Sequence, residues 1–272
     1  MPFEETTLLR AFRAGGTDRE RSVYPLRRDF TSRACETVIL SDLHLGSEVS
    51  RAHDAHQLLK SLSFRRLILL GDIFCDLNFA RLKREHWELL SYVRKLSNPK
   101  RNVEVIWVEG NHDRGLTEVM SHLVGVQVYE EYSWRFAGRK YLAIHGHQFD
   151  RFLVNNSAIS ALGAFIYIHL QRFDSKSHRL SRFLDRQNSK WLRLSPKVES
   201  GAIAYAKIHG ADVVFCGHTH LPLETARDGI CYCNSGCWTN ESPTYITVDE
   251  RGARVRRYAL QPEFEFAELA NA

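Results

Sequence analysis

The sequence has no long apolar run. Nothing in its 272 residues approaches the roughly 18 consecutive apolar residues that span a bilayer, which excludes a transmembrane helix. The N-terminus lacks the basic-then-apolar pattern of a secretory signal and carries Glu4 and Glu5 instead, so the cytoplasm is the expected compartment. The six cysteines (Cys35, Cys75, Cys216, Cys231, Cys233 and Cys237) include no CxxC pair. Cys231, Cys233 and Cys237 cluster, but the first two alternate along an expected strand, which argues against a thiolate metal site. A chain this long can bury its own core without disulfides, so reduced thiols are expected. Internal repeats and low-complexity linkers are absent too, which excludes a solenoid or an array.

What the chain does have is a series of short apolar runs that end in polar residues. They read VILSDLHLG (38–46), LILLGDIF (67–74), VIWVEGNHD (105–113), LAIHGH (142–147) and VVFCGHTH (213–220). Each has strand length, and each delivers a polar side chain where the strand stops. In open α/β folds that edge, at the carboxyl ends of the strands, is where ligands bind. The residues delivered are Asp42, His44, Asp72, Asn111, His145, His218 and His220. Alone, an HxH or a GD would be a weak signal. Five such strand ends in one chain make a ligand set for two divalent metals.

The residue types fit that chemistry. Asp72 has two oxygens and is the natural bridge. Asp42 and His44 lie at i and i+2, which in an extended segment places both side chains on one side, within reach of one ion. His218 and His220 share that spacing, and there one ring can serve each metal. Asn111 offers a neutral amide oxygen. Mixed imidazole, carboxylate and carbonyl donors suit Mn²⁺ foremost, with iron or Zn²⁺ as alternatives, better than Mg²⁺. Such ions bind phosphate oxygens and acidify a water for attack on phosphorus.

The motifs resemble those of the calcineurin-like metallophosphoesterase superfamily: D-x-H, G-D, G-N-H-D, a lone His after a strand, then G-H-x-H. Here these are Asp42-Leu43-His44, Gly71-Asp72, Gly110-Asn111-His112-Asp113, His145 and Gly217-His218-Thr219-His220. The resemblance implies an α/β fold, a four-layer αββα sandwich with a helical insertion. It implies one metal held by Asp42, His44, Asp72 and His220, and a second held by Asp72, Asn111, His145 and His218. Finer segments (41–46, 71–74, 145–150 and 232–238) resemble the UDP-2,3-diacylglucosamine pyrophosphatase branch of lipid A biosynthesis and its close relatives. The chain departs from the best-known members of that branch in having His112 where they have Arg. It also lacks their acidic and aromatic string at residues 75–78.

His112 and Asp113 are the expected catalytic pair beyond the metals. Asp113 is expected to orient the His112 ring and hold it charged, so that His112 stabilises the phosphoryl group or protonates the leaving oxygen. His147, Arg151, Asn155 and Asn156 are candidate substrate contacts. The remaining histidines, His86 among them, receive no role.

In domain terms, residues 1–35 read as an extension and 36–260 as the metallophosphoesterase domain. An insertion falls at about 151–195, and 261–272 form a polar tail. Helices are expected over 53–62, 82–96 and 116–123, and strands over 126–129, 132–136, 141–144, 230–233, 244–248 and 253–258. Residues 151–200 hold nine Lys and Arg against three acids, a local excess of six in a chain whose net charge is +5. Within it, residues 158–170 are apolar almost all round. Three uses fit: a buried core hairpin, a lid that receives acyl chains, or a basic amphipathic surface against the inner face of a membrane.

The leading function is therefore two-metal hydrolysis of a phosphate ester or pyrophosphate, with a UDP-diacylglucosamine-like glycolipid as the favoured substrate. The enzymatic alternatives are a phosphodiesterase, nuclease or phosphoprotein phosphatase with a soluble substrate. No dedicated nucleic-acid partner is expected. A scaffold that has lost the chemistry is disfavoured, because every ligand position is filled.

Overall fold

The structure is a computed structural model. It describes residues 34–115, 125–149 and 195–259, together with the backbone of Ser22–Val23. The expected insertion up to residue 194, the helix at 116–123, the tail, and Arg151, Asn155 and Asn156 lie outside the described residues.

Two six-stranded sheets form the centre. The first is built from β2 (Ala34–Leu40), β3 (Ser63–Leu70), β4 (Glu104–Val108) and β5 (Val128–Tyr129), all parallel, extended by antiparallel β11 (Thr244–Asp249) and β12 (Gly252–Arg257). The second holds β7 (Arg139–Ile144), β8 (Val213–Cys216) and β10 (Ile230–Asn234) in parallel. Antiparallel β6 (Glu131–Phe136) flanks β7, and β9 (Leu223–Arg227) flanks β10. The two-residue strand β1 (Ser22–Val23), from the N-terminal stretch, pairs with β9.

The layers follow from the two-residue period of strands. In β2 and β3, Ile39, Ile68 and Leu70 face the second sheet, whereas Val38, Leu40, Leu67 and Leu69 face outward. In β8, Val213 and Phe215 face inward, and Val214 and Cys216 face outward. Each sheet is thus apolar on both faces and must be covered twice. Helices α1 (Ala52–Ser61) and α2 (Arg84–Leu96) cover the first sheet with Leu58, Leu59, Leu89, Leu90 and Val93. Helix α3 (Ser195–Ile208) covers the second with Val198, Ala202, Ile203 and Ala206. The result is the helix–sheet–sheet–helix sandwich expected from the sequence.

Between the sheets, Trp134, Tyr141 and Phe215 stack with centroids 5.2–5.9 Å apart. Arg66 lies over Trp134 at 5.3 Å and closes the end of the row.

Several boundaries differ from the sequence reading. The strand expected at 126–129 is only Val128–Tyr129. The hairpin turn before β7 is Ala137-Gly138, and both residues have positive φ (47° and 77°). That is the backbone of a two-residue hairpin turn whose twist matches its strands. Besides the short β1, helix α3 and strand β9 were not expected. Helix α3 has the sequence SPKVESGAIAYAKI, whose small residues are buried nearly all round and give little amphipathic contrast. Strand β9 could have been found from Asp228-Gly229, a hairpin signal ahead of Ile230.

Phe215 tests the central packing. It is fully buried, and its loss leaves a void between two sheets that cannot both close in. Phe215→Ala is expected to destabilise the fold by about 3–5 kcal/mol, read as a shift in the urea unfolding midpoint.

Candidate metal centre

The parallel strands of both sheets stop at one edge. Leu40 pairs with Leu69, and Leu70 with Val108, so β2, β3 and β4 end within a residue or two of each other. The chain leaves β2 into Ser41-Asp42 and β3 into Gly71-Asp72. It leaves β4 into Gly110-Asn111, β7 into His145 and β8 into Gly217-His218. All seven expected ligands therefore meet on the same rim.

The way they converge differs from the strand alternation expected for Asp42/His44 and His218/His220. The strands have already ended. Asp42, His44, Asp72, His218 and His220 all adopt left-handed backbone, with φ between 47° and 62°. The loops run alongside each other beyond the strands: Asp42 N donates to Gly71 O (3.0 Å), His44 N to Asp72 O (3.1 Å) and Leu45 N to Ile73 O (2.7 Å). Alternate left-handed residues, not pleated ones, turn the side chains inward.

Two glycines are needed for close approach. A Cβ on Gly110 would overlap the backbone N and the carboxylate of Asp72. One on Gly217 would overlap the Asp42 carboxylate and the Ser41 side chain. The glycine before Asn111 and the glycine before His218 are therefore packing requirements of the site itself.

Three linked groups of donor atoms result: Asp42, His44 and His220; His44, Asp72 and His112; and Asp72, His145 and His218. The His44 and His220 Nε2 atoms are 3.0 Å apart. His220 Nε2 is 2.9 Å from Asp42 Oδ1, and His145 Nε2 is 3.3 Å from Asp72 Oδ2. Yet Asp42 Oδ1 and His145 Nε2 form no aligned hydrogen bond, and buried Asn111 Oδ1 has no donor at all. Close spacing without alignment means that these atoms point at shared positions rather than at each other. Metal–donor bonds of about 2.0–2.2 Å place neighbouring donors about 3 Å apart. The donor set thus fits divalent cations.

The charges argue the same way. Asp42 and Asp72 are buried, and among the described residues no Lys or Arg pairs with either. Burial pushes the Asp42 carboxyl up, but His220 and His145 outweigh it and hold it near 2. Asp72 is likewise held well below the ordinary carboxylate range, with burial opposed by His145 and His112. Burial, with His220 and His112 adding to it, lowers His44 to about 3, so its lone pair is available. Burial opposes the charge on His145, yet Asp72 raises it to about 9. His145 Nδ1 meets Leu70 O at 2.8 Å, which leaves Nε2 directed at the cluster.

His112 lies at the rim, with its side chain one-third exposed and Nε2 3.9 Å from Asp72 Oδ2. Its Nδ1 meets Cys75 O at 2.8 Å. The expected Asp113 partnership is corrected here. The Asp113 oxygens accept Ile73 N and Phe74 N at 2.9 Å each, and no hydrogen bond joins Asp113 to the His112 ring. The reason is geometric: the buried carboxylate turns under the Gly71-Asp72 loop and satisfies two amides there. Burial and the Asp72 charge push it up to about 7, against those two amides.

His147, among the substrate-contact candidates, has its ring 5.6 Å from His145 and 6.4 Å from His218. Its Nδ1 is buried without a partner. Burial and these two rings press its pKa well below the usual histidine range.

The sequence reading missed the supports. His86, on α2, accepts Gly46 N (3.3 Å) and Lys83 N (3.0 Å) through Nδ1, tying the helix start to the Asp42–His44 loop. Ser41 Oγ lies 2.5 Å from both Asp42 Oδ2 and Ser235 Oγ. No cysteine joins any of the candidate metal groups among the described residues, and none of the six cysteines is in a disulfide.

The model of the calcineurin-like phosphoesterase superfamily domain matches residues 36–252. The chain belongs to that superfamily, a class of phosphoester hydrolases. Solved structures with a similar course include a novel archaeal phosphodiesterase (17% identity, 82% of this chain and 99% of that chain, TM-score 0.45). The phosphoesterase Yfce from E. coli is another (18%, 78% and 87%, TM-score 0.45), as is Vps29 from Entamoeba histolytica (13%, 83% and 99%, TM-score 0.41). Likenesses this distant carry no argument about activity. No curated protein matches the sequence.

Asp113→Ala separates a structural from a catalytic role. It strands two amides in a buried loop, at about 1–3 kcal/mol each. The expected outcome is a clear loss in chemical-denaturation stability. Unchanged stability with lost turnover would return Asp113 to the catalytic group.

Proposed function

We propose that this protein is a two-metal hydrolase of phosphate ester or pyrophosphate bonds. One observation carries the reading. Asp42, His44, Asp72, His145, His218 and His220 converge in linked groups of donor atoms, two of which share Asp72, and Asp42 Oδ1, Asn111 Oδ1 and His145 Nε2 are buried atoms with no hydrogen-bond partner. Asp42, His44, Asp72 and His220 would hold one cation; Asp72, Asn111, His145 and His218 would hold the other. Bound cations would supply Lewis acidity toward the phosphoryl oxygens and acidify a water. No helix among the described residues is long and apolar enough to cross a membrane.

The chain's own residues then divide the remaining work. His112 is a partly exposed group at the rim, with Nε2 turned to the cluster and Nδ1 fixed by the Cys75 carbonyl. It moves a proton at Nε2, to the leaving oxygen, or donates a hydrogen bond to the phosphoryl group. His147, neutral and beside His145 and His218, bounds the second cation position and offers a contact to substrate oxygen.

The substrate is proposed at two levels. The broad class is a phosphate ester or pyrophosphate. The finer reading, a nucleotide-linked glycolipid pyrophosphate at the membrane surface, is supported by the motif resemblance at 41–46, 71–74 and 232–238. Residues 151–194, which that reading needs as a lid, lie outside the described residues. Mn²⁺ is the proposed metal on donor chemistry, and iron or Zn²⁺ would use the same atoms.

Asp72→Ala is expected to abolish turnover and remove bound metal, since both groups lose their shared carboxylate. Metal analysis showing two ions still held by that variant would sink the bridging assignment. His112→Ala is expected to keep both metals and lose turnover by about 10²–10⁴, with a smaller loss for a nitrophenyl leaving group. The assay panel pairs UDP-diacylglucosamine, a bis-aryl phosphodiester, nucleotides and a phosphopeptide with Mn²⁺, Mg²⁺ and Zn²⁺. Cleavage of the soluble diester alone would set the glycolipid reading aside.

A further inference from the structure

The two carboxylate oxygens of Asp42 are not equivalent. Oδ2 accepts the Ser41 hydroxyl (2.5 Å) and the His218 amide (3.0 Å). Oδ1 is buried and makes no aligned hydrogen bond, although it lies 2.9 Å from His220 Nε2 and 3.9 Å from His44 Nε2. One oxygen is thus committed to the protein, and the other faces the donor group of Asp42, His44 and His220. The packing around the committed oxygen is tight: a Cβ on Gly217 would stand 2.4 Å from Asp42 Oδ2 and 2.6 Å from Ser41 Oγ.

Ser41 is itself held. Its Oγ lies 2.5 Å from Ser235 Oγ and 3.2 Å from Gly236 O. Both serines are fully buried. A hydroxyl carries one proton and two lone pairs, and a carboxylate oxygen only accepts. The proton at the 2.5 Å contact with Asp42 is therefore that of Ser41. Ser41 has none left for Ser235, so Ser235 donates to Ser41. The Cys216 carbonyl, 3.2 Å from Ser235 Oγ, does not need that proton, because it already accepts Ser235 N at 2.9 Å. Ser41 follows β2 of the first sheet and Ser235 follows β10 of the second, so the contact crosses from sheet to sheet. Trp238 N, which donates to Asp42 O (3.1 Å), ties the same segment to the Asp42 backbone.

We infer that Ser41 and Ser235 are positioning residues: a two-hydroxyl relay, from Ser235 to Ser41 to Asp42 Oδ2, aims Asp42 Oδ1 at the cation position and withholds Oδ2 from it. The inference rests on the reading that Asp42, His44 and His220 hold a cation. It deepens that reading in two ways. Asp42 becomes a ligand through one oxygen only, and a residue of the second sheet becomes responsible for aiming a ligand of the first. Hydrogen-bond partners behind a ligating carboxylate fix its orientation, and losing one costs about 10–100-fold in metal affinity.

The test takes the relay link by link. In calorimetric titrations of metal-free protein with Mn²⁺, Ser41→Ala is expected to weaken one of two sites by about 10–100-fold and leave the other unchanged. Ser235→Ala is expected to weaken the same site by less. A relay acts in series, so the double variant is expected to match Ser41→Ala alone. Infrared difference spectra of ¹³C-aspartate protein, with and without Mn²⁺, read how the carboxylate binds. The band that Asp42→Asn removes is expected to show the wide splitting of a carboxylate bound through one oxygen, and to narrow in Ser41→Ala as Oδ2 becomes free. Should Ser41→Ala fail to fold, Ser235→Ala and the wild-type spectrum decide alone. Wild-type affinities and spectra in both single variants overturn the inference. Equal weakening of both sites, additive losses in the double variant, or a two-oxygen spectrum in the wild type do the same. Wild-type protein that binds no Mn²⁺, Zn²⁺ or iron overturns the cation reading instead. The hold of Ser41 on the carboxylate is then read without metal. Ser41→Ala is expected to lower the urea unfolding midpoint less in an Asp42→Ala background than in the wild type, and equal shifts overturn it.

Discussion

Two buried carboxylates set the terms for the rest of this molecule. Asp42 and Asp72 sit beneath the rim where the two sheets come together, and among the described residues only histidines stand close enough to balance them. Removing a carboxylate from water costs several kcal/mol even after relaxation. The imidazoles offset that only while protonated, and a protonated imidazole is not a metal ligand. Much of the nearby structure can be read as holding the two groups where a cation would satisfy both. The parallel strands end in register, the loops beyond them exchange backbone hydrogen bonds, and glycine is required at positions 110 and 217 where the carboxylates press against the neighbouring chain.

Backbone strain is concentrated in the same place. Eight non-glycine residues among those described have positive φ, and five of them are candidate ligands: Asp42, His44, Asp72, His218 and His220. Conformations of this kind cost about 1–3 kcal/mol each and persist where the surroundings enforce them. Here the enforcement is visible. Asp113 pins the loop after Asp72 through two amides, and His86 pins the loop after His44 through Gly46. The anchor residues are buried, so strain at the rim is held in place by hydrogen bonds from beneath.

Much of this was legible in the sequence, and the reason is physical. Apolar runs of strand length that stop at Asp, Asn or His mark both the strand and its end, so the convergence of Asp and His side chains on one edge and the layered α/β architecture could be read together. Three things were not. The left-handed turn of the ligands left no local signal, because Asp-Leu-His reads equally well as pleated chain. Helix α3 was hidden because small residues buried on all sides, as in Gly201–Ala202–Ile203–Ala204, show no helical period. The partner of His112 was misassigned because adjacency in sequence favoured Asp113, whereas the fold brings the Cys75 carbonyl from a neighbouring loop. Supports such as Ser41, His86 and Ser235 are common residue types whose role exists only once the chain has closed.

The arrangement also explains why reaction class and substrate separate so sharply in this protein. Every donor atom of the metal groups comes from a residue just past a strand end, so the chemistry is fixed by the two sheets and their shared edge. Nothing in that edge distinguishes one phosphorylated molecule from another, since cations and imidazoles recognise the phosphoryl group and not what it is attached to. Discrimination must come from groups above the rim. Among the described residues, His112 stands at the opening and His147 beside the second donor group.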